Sequence, residues 1–363
     1  MSSANTSRSS AHSNGYHRDS GSEFPNLGPL SGEAIHGAFR RVCEHTVLYS
    51  GRRHAHRGPL AVRDSIAVYY SEDMATLINL GGPKVDATQL EEKQDKLFDV
   101  LRSMGRVLVA YSGGTDSAYL AWAAHRVLGP NAVAITADSA SIPESHKRDA
   151  EQFARDCGFA HEYIATHEFE NPAYVANNPD RCFHCKDELF RVMEQVASLR
   201  GFEHIVYGVN YDDLGDYRPG QNAAKLHEVK APLVEAQLTK AEIRELSRLA
   251  GLATWDRPAA ACLSSRIPYG TPVTPETIKT VEVGEEEIKA LGFRQFRVRF
   301  HGELVRLEIS RDELPKALTM EMLDAFSKIF KPLGFLFVTV DVDGYRQGSL
   351  NAALHLPKVQ AGA

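Results

Sequence analysis

The 363-residue chain has no run of apolar residues long enough to span a bilayer. Its N-terminus also lacks the apolar core of a secretory signal. A cytoplasmic protein with no membrane partner is therefore expected. Cysteine is scarce: five thiols, an odd number, exclude a disulfide scaffold and fit a reducing compartment where thiols serve metals or chemistry. Positive charge is not in excess. A formal net charge of −6 speaks against a nucleic-acid partner, although a local basic patch could hide within it. No internal repeat is present. The 43% hydrophobic and 24% charged residues are ordinary for a soluble globular protein, and the length suits two domains.

Texture divides the chain. Residues 1–30, rich in Ser, Asn, Gly and His, cannot bury enough surface to fold, so a disordered tail is expected there rather than a targeting peptide. Residues 31–88 carry the basic run Arg52, Arg53, His54, His56 and Arg57, and complete an N-terminal extension (1–88) with no assigned role. From residue 89 onward short apolar strands (106–111, 132–137, 160–164, 205–209) alternate with helical patterns (117–127, 144–157, 186–199). That alternation predicts an α/β fold with a parallel sheet covered on both faces. A first domain over 89–270 is expected, then a smaller α/β domain over 271–355 and a tail over 356–363. The second domain is expected to hold a helix at 274–291 started by Thr274 and Pro275, strands at 295–300, 304–309 and 335–342, and a helix at 320–330.

The string Tyr111-Ser112-Gly113-Gly114-Thr115-Asp116-Ser117 follows a strand and opens a helix. Glycines let the backbone approach phosphate closely, and the helix N-terminus offers unpaired N–H groups with partial positive charge. Ser112 and Ser117 add hydroxyls, and Asp116 can hold the Mg²⁺ that accompanies pyrophosphate. No Gly-Lys-Ser/Thr follows, so this is not a Walker A loop. The string resembles the signature of PP-loop ATP pyrophosphatases, which activate a carbonyl oxygen by adenylation. That resemblance implies ATP as cofactor and places Asp138 and Ser139, at the end of the second strand, beside the adenine and ribose.

Further strings narrow the match: Asp212 to Gly220 (DDLGDYRPG), Ala231-Pro232-Leu233, Ala261 to Thr271 (ACLSSRIPYGT), Arg297-Val298-Arg299-Phe300 and Asp341 to Gly348 (DVDGYRQG). In this order, over about residues 90–355, they resemble the LarE family of ATP-dependent sulfur transferases in nickel-pincer nucleotide synthesis. The resemblance implies a pyridinium mononucleotide substrate whose carboxylate is adenylated, with sulfur then displacing AMP. It also implies that Cys262 attacks the adenylate and gives up its own sulfur, leaving dehydroalanine.

This chain adds Cys182 and Cys185 in Arg181-Cys182-Phe183-His184-Cys185-Lys186. Such a three-cysteine variant resembles family members that hold a [4Fe-4S] cluster on three thiolates and use a hydrosulfide on the fourth iron. Physically, Cys-x-x-Cys at a helix start presents two thiolates to one centre, and three cysteine ligands leave one iron open. Zinc on the three thiolates with His184 or water, a transient Cys182–Cys185 disulfide, and inert buried thiols remain alternatives.

Arg297 and Arg299, two apart on a strand, share one face, and guanidinium forks suit phosphate; the resemblance puts the substrate's phosphate there. Arg218 and Arg266 lie in loops, where binding residues collect. Arg266 neutralises the adenylate or a substrate carboxylate, or else makes a structural ion pair. Asp212, Asp213 and Asp216 read either as metal or ribose ligands or as a solvated turn, and Glu242, Arg244, Glu245 and Arg248 as a salt-bridged helix face. The expected partners are a small nucleotide, further copies of the chain, and a sulfur-delivery or nickel-insertion protein. Competing readings are a PP-loop enzyme acting on tRNA or using ammonia, as in NAD or GMP synthetases, and a non-catalytic metal-binding protein.

Overall fold

The computed structural model of the protein describes residues 86–215, 219–258, 261–346 and 348–351. They belong to one compact unit, Asn79–Ala363. Residues 1–85, Arg218 and residues 352–363, including the expected tail, lie outside the described residues.

The first sheet has four strands, β1 (Val107–Ala110), β2 (Ala132–Asp138), β3 (Ala160–Ala165) and β4 (His204–Tyr207), in the order β3-β2-β1-β4. All neighbours are parallel, with Val107 opposite both Ala132 and His204. The continuous apolar run of β1 is buried at every position, as a central strand covered on both faces requires. Helices α1 (Ala87–Ser103), α2 (Thr115–Leu128) and α3 (Glu144–Cys157) come from the first half of this layer. Leu97, Leu101, Val107, Val109, Ala121 and Ala124 join in its core. After α4 (Pro172–Val175), α5 (Arg181–Arg200) begins at Arg181 rather than at residue 186. The polar Cys-Phe-His-Cys-Lys stretch hides its first turn from the hydrophobic pattern. Three further helices follow: α6 (Pro219–Leu226), α7 (Pro232–Glu235) and α8 (Lys240–Leu249). In α8, Thr239 and Glu242 form a reciprocal capping box.

The second sheet pairs β5 (Phe296–His301) antiparallel with β6 (Leu304–Ile309), and β6 parallel with β7 (Phe337–Val340). Helices α9 (Pro275–Ala290), α10 (Leu314–Ala317) and α11 (Met320–Phe330) accompany it. Thr274 caps α9 with Pro275 at its first position, as expected from the sequence. Val281, Ile288, Val298, Leu307, Phe326 and Phe330 form a second core, which also takes in Tyr174 and Leu263 from the preceding chain.

The salt-bridged face expected on α8 is only partly present. Glu245 and Arg248 do pair, at 2.6 Å. Glu242 instead binds Lys93 of α1 at 2.7 Å, and Arg244 donates to the carbonyls of Trp255 and Arg257. No described helix is long and apolar enough to cross a membrane.

His227, just past α6, is clamped to α5 through both ring nitrogens, each 3.0 Å from a carboxylate, Asp187 or Glu194. Burial opposes its charge, but the two carboxylates outweigh burial and raise its pKa above the ordinary 6.5. A raised histidine pKa stabilises the fold fully below the unfolded value, and that contribution is lost as pH rises through the folded value. Urea unfolding from about pH 6 to about pH 9 should therefore show a loss of stability that His227→Gln removes.

Candidate active site

The phosphate-loop string sits where β1 hands over to α2. Gly113 has φ +73°, and a Cβ there would come within 3.2 Å of Ala150 Cβ. Across the sheet, Gly208 must lack a side chain, because a Cβ would lie 2.7 Å from the backbone nitrogen of Ser117. Ser117 Oγ accepts from Ser112 N (3.2 Å), lies 3.1 Å from Ser112 Oγ and donates to Gly114 O (3.1 Å). Asp116 Oδ2 accepts from Lys240 Nζ at 2.7 Å and faces Asn210 Nδ2 at 3.5 Å. Asp116 Oδ1 is buried without a hydrogen-bond partner. An orphaned carboxylate oxygen beside a phosphate loop suits a Mg²⁺ contact, since this hard cation takes oxygen ligands.

Lys240 and Arg257 are additions to the residues expected at this loop. Arg257 donates to Gly113 O at 2.8 Å. The Thr239-Lys240 pair is visible in the sequence as a helix start, but only folding brings Lys240 to Asp116. Asp212 and Asp213 serve the turn itself: Asp212 accepts from Lys240 N and Asp213 from Asn210 N. At the end of β2, Asp138 is exposed and paired with Lys147 at 2.6 Å. Ser139 turns inward, its hydroxyl 2.8 Å from Ser141 Oγ and bonded to Glu168.

The thiols approach one another through a buried bolt. Arg181, at the start of α5, donates to Ser264 O (2.8 Å) and to Asn177 Oδ1 (2.5 Å). Asn177 in turn holds the carbonyls of Pro268 and Thr271, each at 2.8 Å. The first turn of α5, with Cys182 and Cys185, is thereby fixed against the turn that follows Cys262. The Cys185 thiol is pushed up to about 12, by burial first and by the nearby carboxylate of Glu168 second. Burial thus outweighs the partial positive charge of the helix N-terminus, which by itself favours a thiolate. Cys182 is exposed, yet the protein around it desolvates its thiol; this and Cys262 raise its pKa against the pull of Arg181. Among the described residues, no group of three or more His, Cys, Asp or Glu side chains is arranged to hold a metal ion. As placed, the three thiols do not fit a cluster or a zinc site, so no step is derived through either.

Cys262 itself is half-buried, in extended backbone just before the short turn Leu263–Arg266. Arg266 is 2% exposed. Its fork grips Glu285 of α9 at 2.8 and 2.9 Å, and Nη1 donates to the carbonyls of Ala261 (2.8 Å) and Cys262 (3.0 Å). Arg266 thus makes the ion pair that was one of its two expected roles, and that pair holds the cysteine turn. Arg297 and Arg299 share a face of β5, as expected. Arg299 is buried and donates to Ser265 O (2.8 Å) and Glu308 (2.7 Å). Burial and then the charge of Arg266 lower the pKa of Arg297, against the opposing pull of Glu285. His146 lies near Arg266 and Arg257, and burial together with both charges lowers its pKa.

No family model matches the chain. It is 43% identical over 265 residues to an uncharacterized protein of Synechocystis sp., covering 73% of this chain and 99% of that one. It is 32% identical over 267 residues to pyridinium-3,5-bisthiocarboxylic acid mononucleotide synthase of Lactiplantibacillus plantarum, covering 73% of this chain and 96% of that enzyme. A weaker likeness, 27% over 209 residues, joins 51% of this chain to 65% of a glutamine-hydrolyzing GMP synthase chain of Archaeoglobus fulgidus. A parallel sheet with Ser-Gly-Gly-Thr-Asp-Ser at the mouth of α2 therefore defines an α/β enzyme of the PP-loop class. Within that class, the chain belongs to the LarE family, that of the pyridinium-3,5-bisthiocarboxylic acid mononucleotide synthase, and is an ATP-dependent sulfur transferase.

Proposed function

We propose that this enzyme adenylates a carboxylate of a pyridinium mononucleotide and replaces AMP with sulfur carried by Cys262, giving a thiocarboxylate for a nickel-pincer nucleotide. A carboxylate oxygen attacks the α-phosphorus of ATP, and pyrophosphate leaves. The Cys262 sulfur then attacks the acyl carbon, its proton goes to solvent, and AMP leaves. Cleavage of the Cys262 Cβ–Sγ bond, with loss of the α-proton, releases the thiocarboxylate and leaves dehydroalanine.

Residues 89–270 would hold the nucleotide and residues 271–355 the substrate. Ser112, Gly113, Gly114 and Ser117 would cradle the phosphates, with Asp138 at the nucleoside end. Asp116 would carry Mg²⁺, which neutralises pyrophosphate charge when bound. Arg297 and Arg299 would face the phosphate of the mononucleotide. The observation carrying this reading is Arg266, which joins the Cys262 carbonyl to α9 beside the arginine strand.

Lys240 is the natural counter-charge for departing pyrophosphate, because it already sits 2.7 Å from Asp116. The test is pyrophosphate release from ATP with the dicarboxylated pyridinium mononucleotide, with and without that substrate. Release should require the mononucleotide and fall on the order of 100-fold in Lys240→Met. Release that ignores the mononucleotide would overturn the reading.

A further inference from the structure

The arginine pair of β5 is held by a segment that the proposed reaction leaves unused. After β7 the chain turns at Gly344, with φ +71°, where a Cβ would lie 2.6 Å from Ile309 O. The turn is pinned by Asp343 N donating to Asp341 Oδ1 and by Tyr345 N donating to Ile309 O, each at 2.9 Å. This lays the Tyr345 ring against Arg297, with the guanidinium carbon 4.9 Å from the ring centroid. Further on, Ser349 Oγ accepts from Arg299 Nη2 (2.9 Å) and donates to Glu308 Oε1 (2.7 Å). Residues 341–346 and 348–351 thus form a strap with one contact on each arginine. Arg299 passes the constraint on, because its other arm donates to Ser265 O in the Cys262 turn.

A long guanidinium side chain that must meet a phosphate gains affinity when its rotamers are fixed beforehand, since less entropy is lost on binding. An aromatic face does this for a cation through its quadrupole, and a hydroxyl does it through a charge-assisted hydrogen bond. We propose that Tyr345 and Ser349 are positioning residues that set Arg297 and Arg299 for the phosphate of the mononucleotide, and so determine the affinity for that substrate. This rests on the reading of the two arginines as its phosphate-binding pair.

The test compares single-turnover pyrophosphate release by the full chain, followed against mononucleotide concentration, with that of Tyr345→Leu, Tyr345→Phe and Ser349→Ala. Tyr345→Leu should raise the half-saturating mononucleotide concentration about tenfold, with the saturating rate and the ATP dependence unchanged. Tyr345→Phe, which keeps the ring, should retain the wild-type value. Ser349→Ala should raise that concentration by roughly fivefold, and it carries the test alone if Tyr345→Leu fails to fold. An unchanged half-saturating concentration, or a loss confined to the saturating rate, would overturn the proposal while leaving the sulfur-transfer reading intact. If the wild type releases no pyrophosphate with the mononucleotide, that reading fails instead. The strap is then judged by calorimetric titration of inorganic phosphate: weaker binding in both variants sustains it, and equal binding overturns it.

Discussion

Cys262→Ala should form no thiocarboxylate while still releasing pyrophosphate at close to the wild-type rate. The two steps separate because the phosphate loop and the sulfur-bearing turn are different pieces of chain. Ser112 to Ser117 bind one another around the α2 N-terminus, whereas the Cys262 backbone is held by Ser265 and Arg266. Mass spectrometry of the wild-type protein after reaction should show one H₂S lost at residue 262. Cys182→Ala/Cys185→Ala should keep that single turnover, because neither thiol is needed when Cys262 is the donor. A thiocarboxylate made by Cys262→Ala would locate the sulfur elsewhere.

The second large effect is on stability. Arg266→Met should cost about 3–5 kcal/mol in urea unfolding, because it leaves a carboxylate inside the protein without its counter-charge. Glu285 keeps its pKa below the ordinary carboxylate value: burial pushes it up, but the Arg266 charge and its hydrogen bonds more than compensate. The cost should be largely recovered in Arg266→Met/Glu285→Leu, where both charges are gone and the space is filled. The double variant should nonetheless remain poor in sulfur transfer. Arg266 also ties together the carbonyls of Ala261 and Cys262 and the hydroxyl of Ser265, and no methionine can do so. Full sulfur transfer in a stable double variant would show that the ion pair serves stability alone.

The pair also shows why the partner of a buried arginine is not legible in the sequence. In Ser-Ser-Arg-Ile-Pro the sequence places Arg266 in a loop, which is equally compatible with a ligand and with a partner anywhere in the fold. The partner is Glu285, on a helix whose hydrophobic pattern reveals its existence but not what its polar face meets. Arg299 behaves similarly. Its neighbour Arg297 and the strand alternation are legible, whereas Glu308 on the adjacent strand and Ser349 beyond β7 become partners only through the β5–β6 pairing and the strap.

The sequence by itself determined the layered α/β plan and the strand–turn–helix setting of Ser112 to Ser117, while Cys262 as candidate sulfur donor came from the family resemblance. The first two depend on contiguous residues: buried strands are unbroken apolar runs, and a phosphate cradle needs glycines and hydroxyls within one turn of a helix start. Tertiary structure decided the rest. Lys240 reaches Asp116 across 124 positions, and Arg181 reaches Ser264 across 83. Charged side chains of this kind look interchangeable along the chain, because a single charge constrains its partner only through distance in space. Helix periodicity and strand alternation record which face is buried, not which buried charge will lie opposite. Sheet order and helix packing place Lys240 at the phosphate loop and the α5 thiols near Cys262, so these parts of the site become visible only once the chain is folded.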